Sequence, residues 1–236
     1  MEPPPVNRRQ ALAGFGTVSL GALLAACGGD EKTGGATTAT TATKEARSKP
    51  DSGLAGLFDD NSSCTLTPEL TEGPFYFDVD SIRSDIREDR EGVTLRLAVR
   101  VREAESCKPI SNAVVDIWQC DAEGQYSGLD SDETFLRGAQ VTNSAGIVEF
   151  LTIYPGWYQG RTVHIHAKVH LDKQTVLTTQ LFFDEQTQRA VYDGGPYAAG
   201  DTENESDSIF DETLVLATRR QGDRYLGLIS LDVNRA

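Results

Sequence analysis

Val93-Thr94-Leu95-Arg96-Leu97-Ala98-Val99-Arg100-Val101-Arg102 alternates without a break. Apolar side chains hold every odd position, and Thr or Arg holds four of the five even ones. A period of two belongs to a strand, so the stretch predicts a β-strand with one face in a core and the other towards water. Working outward, Ala113 to Trp118, Ile147 to Ile153, Thr162 to Leu171, Thr175 to Phe183 and Tyr225 to Val233 predict further strands. Turn residues separate them: Ser111-Asn112, Glu123-Gly124, Asn143 to Gly146, Pro155-Gly156 and Leu171 to Lys173. Strong helical periodicity is absent, no repeat is evident, and residues 184–210 form a polar stretch suited to a surface loop with a helical turn or two. The pattern predicts an all-β domain, a β-sandwich of mostly antiparallel strands with long loops around its site.

One predicted strand carries chemistry. Arg161-Thr162-Val163-His164-Ile165-His166 begins it, and all three histidines of the chain (His164, His166, His170) lie within seven residues. Alternation puts them on one face, with Val163, Ile165, Ala167, Val169 and Leu171 on the other. A His-x-His pair on a rigid strand is half of a metal site. Imidazole suits iron, copper and zinc, and a tyrosine phenolate is a hard anionic donor suited to Fe(III).

The ends carry a different message. Arg8-Arg9 precedes the short, small-residue-rich apolar run Ala11 to Ala26, which fits a signal h-region better than a membrane span. Leu24-Ala25-Ala26-Cys27 resembles a bacterial lipobox, and the paired arginines resemble a Tat export signal. Residues 1–26 are therefore expected to be a leader, and 27–60 a lipidated Cys27 followed by a Thr/Ala/Gly tether too poor in bulky apolar groups to order itself. The folded domain is expected over 61–236. The expected location is the outer face of the cytoplasmic membrane or the cell envelope, with membrane contact through the lipid only. The chain carries a formal charge of −14. That balance argues against nucleic acid, whose phosphates need a basic footprint. With Cys27 lipidated, Cys64, Cys107 and Cys120 remain. Export favours one disulfide; Cys107 with Cys120 is one candidate pairing, Cys64 with either the alternative.

Four separated motifs then occur in one order. They are Thr71-Glu-Gly-Pro-Phe-Tyr76, Asn112-x-x-Val-Asp-Ile-Trp-Gln-x-x-x-x-Gly-x-Tyr126, Tyr154-Pro-Gly-x-Tyr158 and Arg161-x-x-His164-x-His166, followed by Gln180 in Thr-Gln-Leu-Phe-Phe183. Together they resemble the intradiol ring-cleavage dioxygenases, the non-haem ferric family of catechol and protocatechuate 3,4-dioxygenases, over roughly residues 64–210. Asn112 departs from the Gly often found there. The resemblance implies Tyr126, Tyr158, His164 and His166 as ligands of a non-haem Fe(III). It implies Tyr158 as the phenolate that yields to substrate and accepts its proton, and Arg161 and Gln180 as catalytic partners. Thr71, Pro74, Tyr76 and Arg161 are expected to line a pocket for a catechol-type substrate that reacts with O2 to a cis,cis-muconate. His170 matches no family ligand. Two other readings stay open on the residues alone: a zinc or copper enzyme using His164, His166 and His170, and a non-catalytic β-sandwich binding module on a lipid tether.

Overall fold

The structure is a computed structural model that describes residues 53–58, 64–129 and 131–235. The proposed leader, Cys27 and most of the tether lie outside the described residues. The strands are β1 (Thr94–Glu103), β2 (Val114–Trp118), β3 (Arg137–Val141), β4 (Ile147–Ile153), β5 (His164–Leu171), β6 (Gln174–Phe182), β7 (Ala217–Gln221) and β8 (Arg224–Val233), with one α-helix, α1 (Glu185–Tyr192), and three 3-10 turns among the described residues. They form two four-stranded sheets, ordered β4-β1-β8-β7 and β3-β2-β5-β6. All pairings are antiparallel except that of β1 with β8. The predicted all-β sandwich is the observed fold.

The odd residues of β1 pack between the sheets: Leu95, Leu97, Val99 and Val101 are fully buried and meet Val115, Ile117, Ile165 and Ala167 from the facing sheet. Each side chain of this size contributes about 1.5–3 kcal/mol when buried. The even face of β1 was expected to meet water and does not. Leu54 and Phe58 cover Ala98 together with Leu226 and Leu228, and the Arg100 guanidinium lies 4.8 Å from the Phe58 ring. Arg102 forms a buried two-point pair with Asp232, Nε to Oδ1 at 2.7 Å and Nη2 to Oδ2 at 2.9 Å. Leu54 and Phe58, which the sequence reading assigned to the tether, thus pack on the sheet and cover this face.

Two strands were not legible. β3 (Arg-Gly-Ala-Gln-Val) lacks apolar alternation, and β7 (Ala-Thr-Arg-Arg-Gln) is a largely exposed edge strand with no face to bury. Asn112 has φ +62°, a left-handed conformation that Gly adopts freely and Asn tolerates, so its departure from the family's Gly is conservative.

Cys64 pairs with Cys107 at a Cα separation of 5.4 Å, and Cys120 is a buried free thiol. The Cys107–Cys120 pairing is thus corrected. Cys107 lies in the turn after β1, Cys120 beyond the far end of β2, and five strand residues at about 3.3 Å each hold them roughly 16 Å apart. Alkylation of denatured, unreduced protein should label Cys120 and spare Cys64 and Cys107 in a peptide map; labelled Cys64 would refute the pairing. Replacing both Cys64 and Cys107 with Ser should lower stability by at most about 4 kcal/mol, given the length of chain closed.

Candidate metal centre

Strand register lays the site out. Across the second sheet Arg137, Trp118, His166 and Gln180 occupy directly opposed positions on β3, β2, β5 and β6. They share the outer face, since Ile117 and Ala167 beside them enter the core. This face is nonetheless dry, Trp118, His166 and Gln180 being almost fully buried, and the histidines expected to face outward lie beneath loops.

His164 and His166 stand two apart on this face with their Nε2 atoms 3.2 Å from one another. His164 Nδ1 lies 2.6 Å from the Thr162 carbonyl, which can only accept; Nδ1 therefore carries the proton and Nε2 presents a lone pair. Tyr158 Oη is 3.0 Å from the same His164 Nε2. Tyr126 brings a buried hydroxyl with no hydrogen bond of normal geometry, its ring edge-on to Tyr158 at 5.8 Å and to His166 at 6.2 Å. Burial, with the Arg161 charge nearby, lowers the pKa of both histidines, His164 to about 3. A proton is therefore a poor cation for the space between them. Burial also holds the Tyr126 and Tyr158 phenols above their ordinary value, so they ionise only against added positive charge. Two neutral imidazoles, the buried Tyr126 phenol and the part-buried Tyr158 phenol form a donor set that fits a hard trivalent metal. His170 does not join them. Its Nδ1 meets Thr175 Oγ1 at 3.0 Å, next to a register shift between Val169 and His170. No group of three or more His, Cys, Asp or Glu side chains that could hold a metal occurs among the described residues. The three-histidine reading is thereby corrected.

The loops are anchored individually. Trp118 stacks on His166 at 4.8 Å and 8°. Phe75 stacks on Tyr126 at 4.5 Å. Arg137 donates from Nε and Nη2 to Ser127 Oγ and Ser127 O, both at 2.8 Å, and so holds the backbone just after Tyr126. Gly156 donates to the Asp121 carbonyl; a Cβ on it would stand 2.1 Å from that oxygen, so only Gly lets the Tyr158 loop approach the Tyr126 loop. Gly73, at φ +72°, passes so close to His166 that a Cβ would lie 3.3 Å from Cε1. This brings the segment from Thr71 through the Pro74–Phe75 turn to Tyr76 over the site. Gln180 donates from Nε2 to the Thr71 carbonyl at 2.8 Å and accepts from Arg161 Nη2 at 2.5 Å. Tyr76 contacts Trp118 at 4.8 Å between ring centroids and carries Lys168 Nζ 3.5 Å from its own ring centre, while Glu72 pairs with Lys168. The structure thus gathers Thr71, Tyr76, Tyr126, Tyr158, Arg161, His164, His166 and Gln180 in one place. Sequence reading missed Arg137, Lys168 with Glu72, and Asp207, which accepts from Arg161 Nε at 2.8 Å. None of these stands in a spacing pattern that marks it out.

A family model described as Dioxygenase matches residues 68–199, which include all four donors. The chain belongs to the intradiol ring-cleavage dioxygenase family. It is 27% identical over 164 residues to a chlorocatechol 1,2-dioxygenase of Rhodococcus opacus, covering 58% of this chain and 60% of that protein. It matches the structure of an intradiol ring-cleavage dioxygenase from Tetranychus urticae at 36% identity and a TM-score of 0.70, over 72% of this chain and 95% of that one. The dioxygenase domain of a carbohydrate-binding fusion from Streptomyces sp. SirexAA-E matches at 34% identity and a TM-score of 0.59, over 72% and 99%. The chain spans about half of the curated relatives it matches, 45–60% of their length.

Beside the candidate metal centre, burial raises the Asp116 carboxyl to about 6, the nearby Asp78 adding to the rise while Tyr76, Lys168 and Arg137 oppose it. The sign follows from linkage. A carboxyl whose folded value is raised adds stability below its unfolded value near 4 and loses it as pH rises through about 6. Asp116→Asn should therefore match the parent near pH 3 and exceed it by about 1–3 kcal/mol at pH 8. Thermal unfolding between these pH values checks it; a variant less stable than the parent at pH 8 would contradict the assignment.

Proposed function

We propose that the protein is a non-haem Fe(III)-dependent intradiol dioxygenase that opens catechol-type rings with O2 to cis,cis-muconate-type products. The observation that carries the reading is the convergence of Tyr126, Tyr158, His164 and His166, with the two imidazole Nε2 atoms facing one another at 3.2 Å. Tyr126, Tyr158, His164 and His166 would hold the iron. When bound, ferric iron supplies the charge that ionises phenols and catechols and makes the bound ring reactive towards O2.

The chain's own residues supply the rest. Tyr158 is only partly buried, whereas Tyr126 is buried. Tyr158 Oη is thus the group placed to take up a hydroxyl proton of an arriving catechol. Arg161 presents a cation in a water-poor pocket, where it stabilises negative charge developing on the ring. Gln180 orients that guanidinium. Trp118, Phe75 and the segment Thr71 to Tyr76, including Pro74, exclude water and bound the ring. The wider setting supported by the sequence is an exported protein, lipid-anchored at Cys27 and held off the membrane by its tether.

Iron-loaded protein should absorb in the visible by phenolate-to-metal charge transfer, the band should shift on anaerobic addition of catechol, and O2 should be consumed one per catechol. Tyr126→Phe should change the band and cut kcat by about 100-fold or more; His170→Gln should leave both nearly unchanged. A colourless iron-loaded protein, or a spectrum sensitive to His170 and not to Tyr126, refutes the proposal.

A further inference from the structure

Arg161 is aimed by a carboxylate outside the stretch that the family model matches, which ends at residue 199. Asp207 lies just after a single 3-10 turn, Asn204–Ser206, and its side chain is 1% exposed. Its Oδ2 accepts from Arg161 Nε at 2.8 Å and from the Thr162 N–H at 2.9 Å, and its Oδ1 accepts from the Ile209 N–H at 2.9 Å. On the other side of the guanidinium, Nη2 donates to Gln180 Oε1, and Gln180 Nε2 donates onward to the Thr71 carbonyl. A guanidinium is planar, so two fixed nitrogens define where the third points. The third, Nη1, stands 3.4 Å from His164 Nε2 and faces the space between the donors.

We propose that Asp207 is a positioning residue: together with Gln180 it locks the Arg161 guanidinium so that Nη1 alone presents its N–H groups to the reacting ring. The inference rests on the dioxygenase reading above. Asp207 also offsets the charge of a cation that is largely buried, so its loss frees Arg161 to turn towards water. A displacement of about 1 Å at a reacting centre costs on the order of 100-fold in rate.

A purely structural role for Asp207 is separable, because Asn204 pins the same loop without touching Arg161. Asn204 Oδ1 accepts from Thr162 Oγ1 at 2.6 Å, Nδ2 donates to the Phe183 carbonyl at 2.8 Å, and its N–H donates to Glu185 Oε1 at 2.7 Å. The experiment uses iron-loaded full chain with catechol as the probe. Asp207→Ala, Asp207→Asn, Asn204→Ala, Arg161→Ala and the Asp207→Ala/Arg161→Ala pair are compared for kcat, for anaerobic catechol Kd from the charge-transfer band, and for Tm. Asp207→Ala should lower kcat about 100-fold while holding Kd within about threefold, and it should cost nothing further in the Arg161→Ala background. Asp207→Asn keeps an acceptor for Arg161 Nε and should recover to within about tenfold of the parent; should Asp207→Ala fail to fold, Asp207→Asn in both backgrounds decides. Asn204→Ala should lower Tm yet keep kcat within about threefold. If the Asp207 and Arg161 losses multiply, or if Asn204→Ala loses as much kcat as Asp207→Ala, the positioning role is overturned while the dioxygenase reading stands. If the parent consumes no O2 with catechol, the dioxygenase reading falls and the role of Asp207 falls with it.

Discussion

Two buried imidazole nitrogens facing one another at 3.2 Å set the terms for the rest of this molecule. The Thr162 carbonyl accepts the Nδ1 N–H of His164, so its Nε2 lone pair faces the Tyr158 hydroxyl and His166 Nε2. Burial makes protonation expensive for both rings. The arrangement therefore asks for a cation other than a proton, and the groups around it fit that demand. The Tyr126 and Tyr158 phenols stand beside it, and added positive charge would ionise them. Arg161, the cation next to His164, is bound by Asp207 and Gln180.

The sandwich makes this possible by being lopsided. One face of the second sheet enters the core; the other would ordinarily meet water. Long connections fold over that second face instead and cover a row of strand residues, Arg137, Trp118, His166 and Gln180. Rigid strand pairing fixes the imidazoles and Gln180. The tyrosines ride on loops whose backbones are tied down by Arg137, Asp121 and Gly156. Such a division puts the imidazole pair on the sheet and the phenols on anchored loops above it.

Parts of the site were legible for a simple reason. Alternation along Val93 to Arg102 and along His164 to Leu171 is a local property, and strand geometry converts it directly into faces. The tyrosines were legible only through motif resemblance, because loop positions carry no period. Asp207 was silent: a carboxylate in an acidic, polar stretch gives no hint that it folds back on an arginine 46 residues earlier. The cysteines misled, since Cys107 and Cys120 look close in sequence yet flank a strand that runs away from the turn between them.

By itself, then, the sequence determined the all-β class and the face carrying the histidines, and its motif resemblance singled out the four candidate donors. Each of these depends on period or on a contiguous motif. Tertiary structure alone decided that the even face of β1 is covered by Leu54 and Phe58, that Cys64 rather than Cys120 meets Cys107, that His170 turns away to Thr175, and that Asp207 closes on Arg161. Those outcomes depend on where loops return across a sheet. That is set by packing between distant residues, which no local pattern encodes.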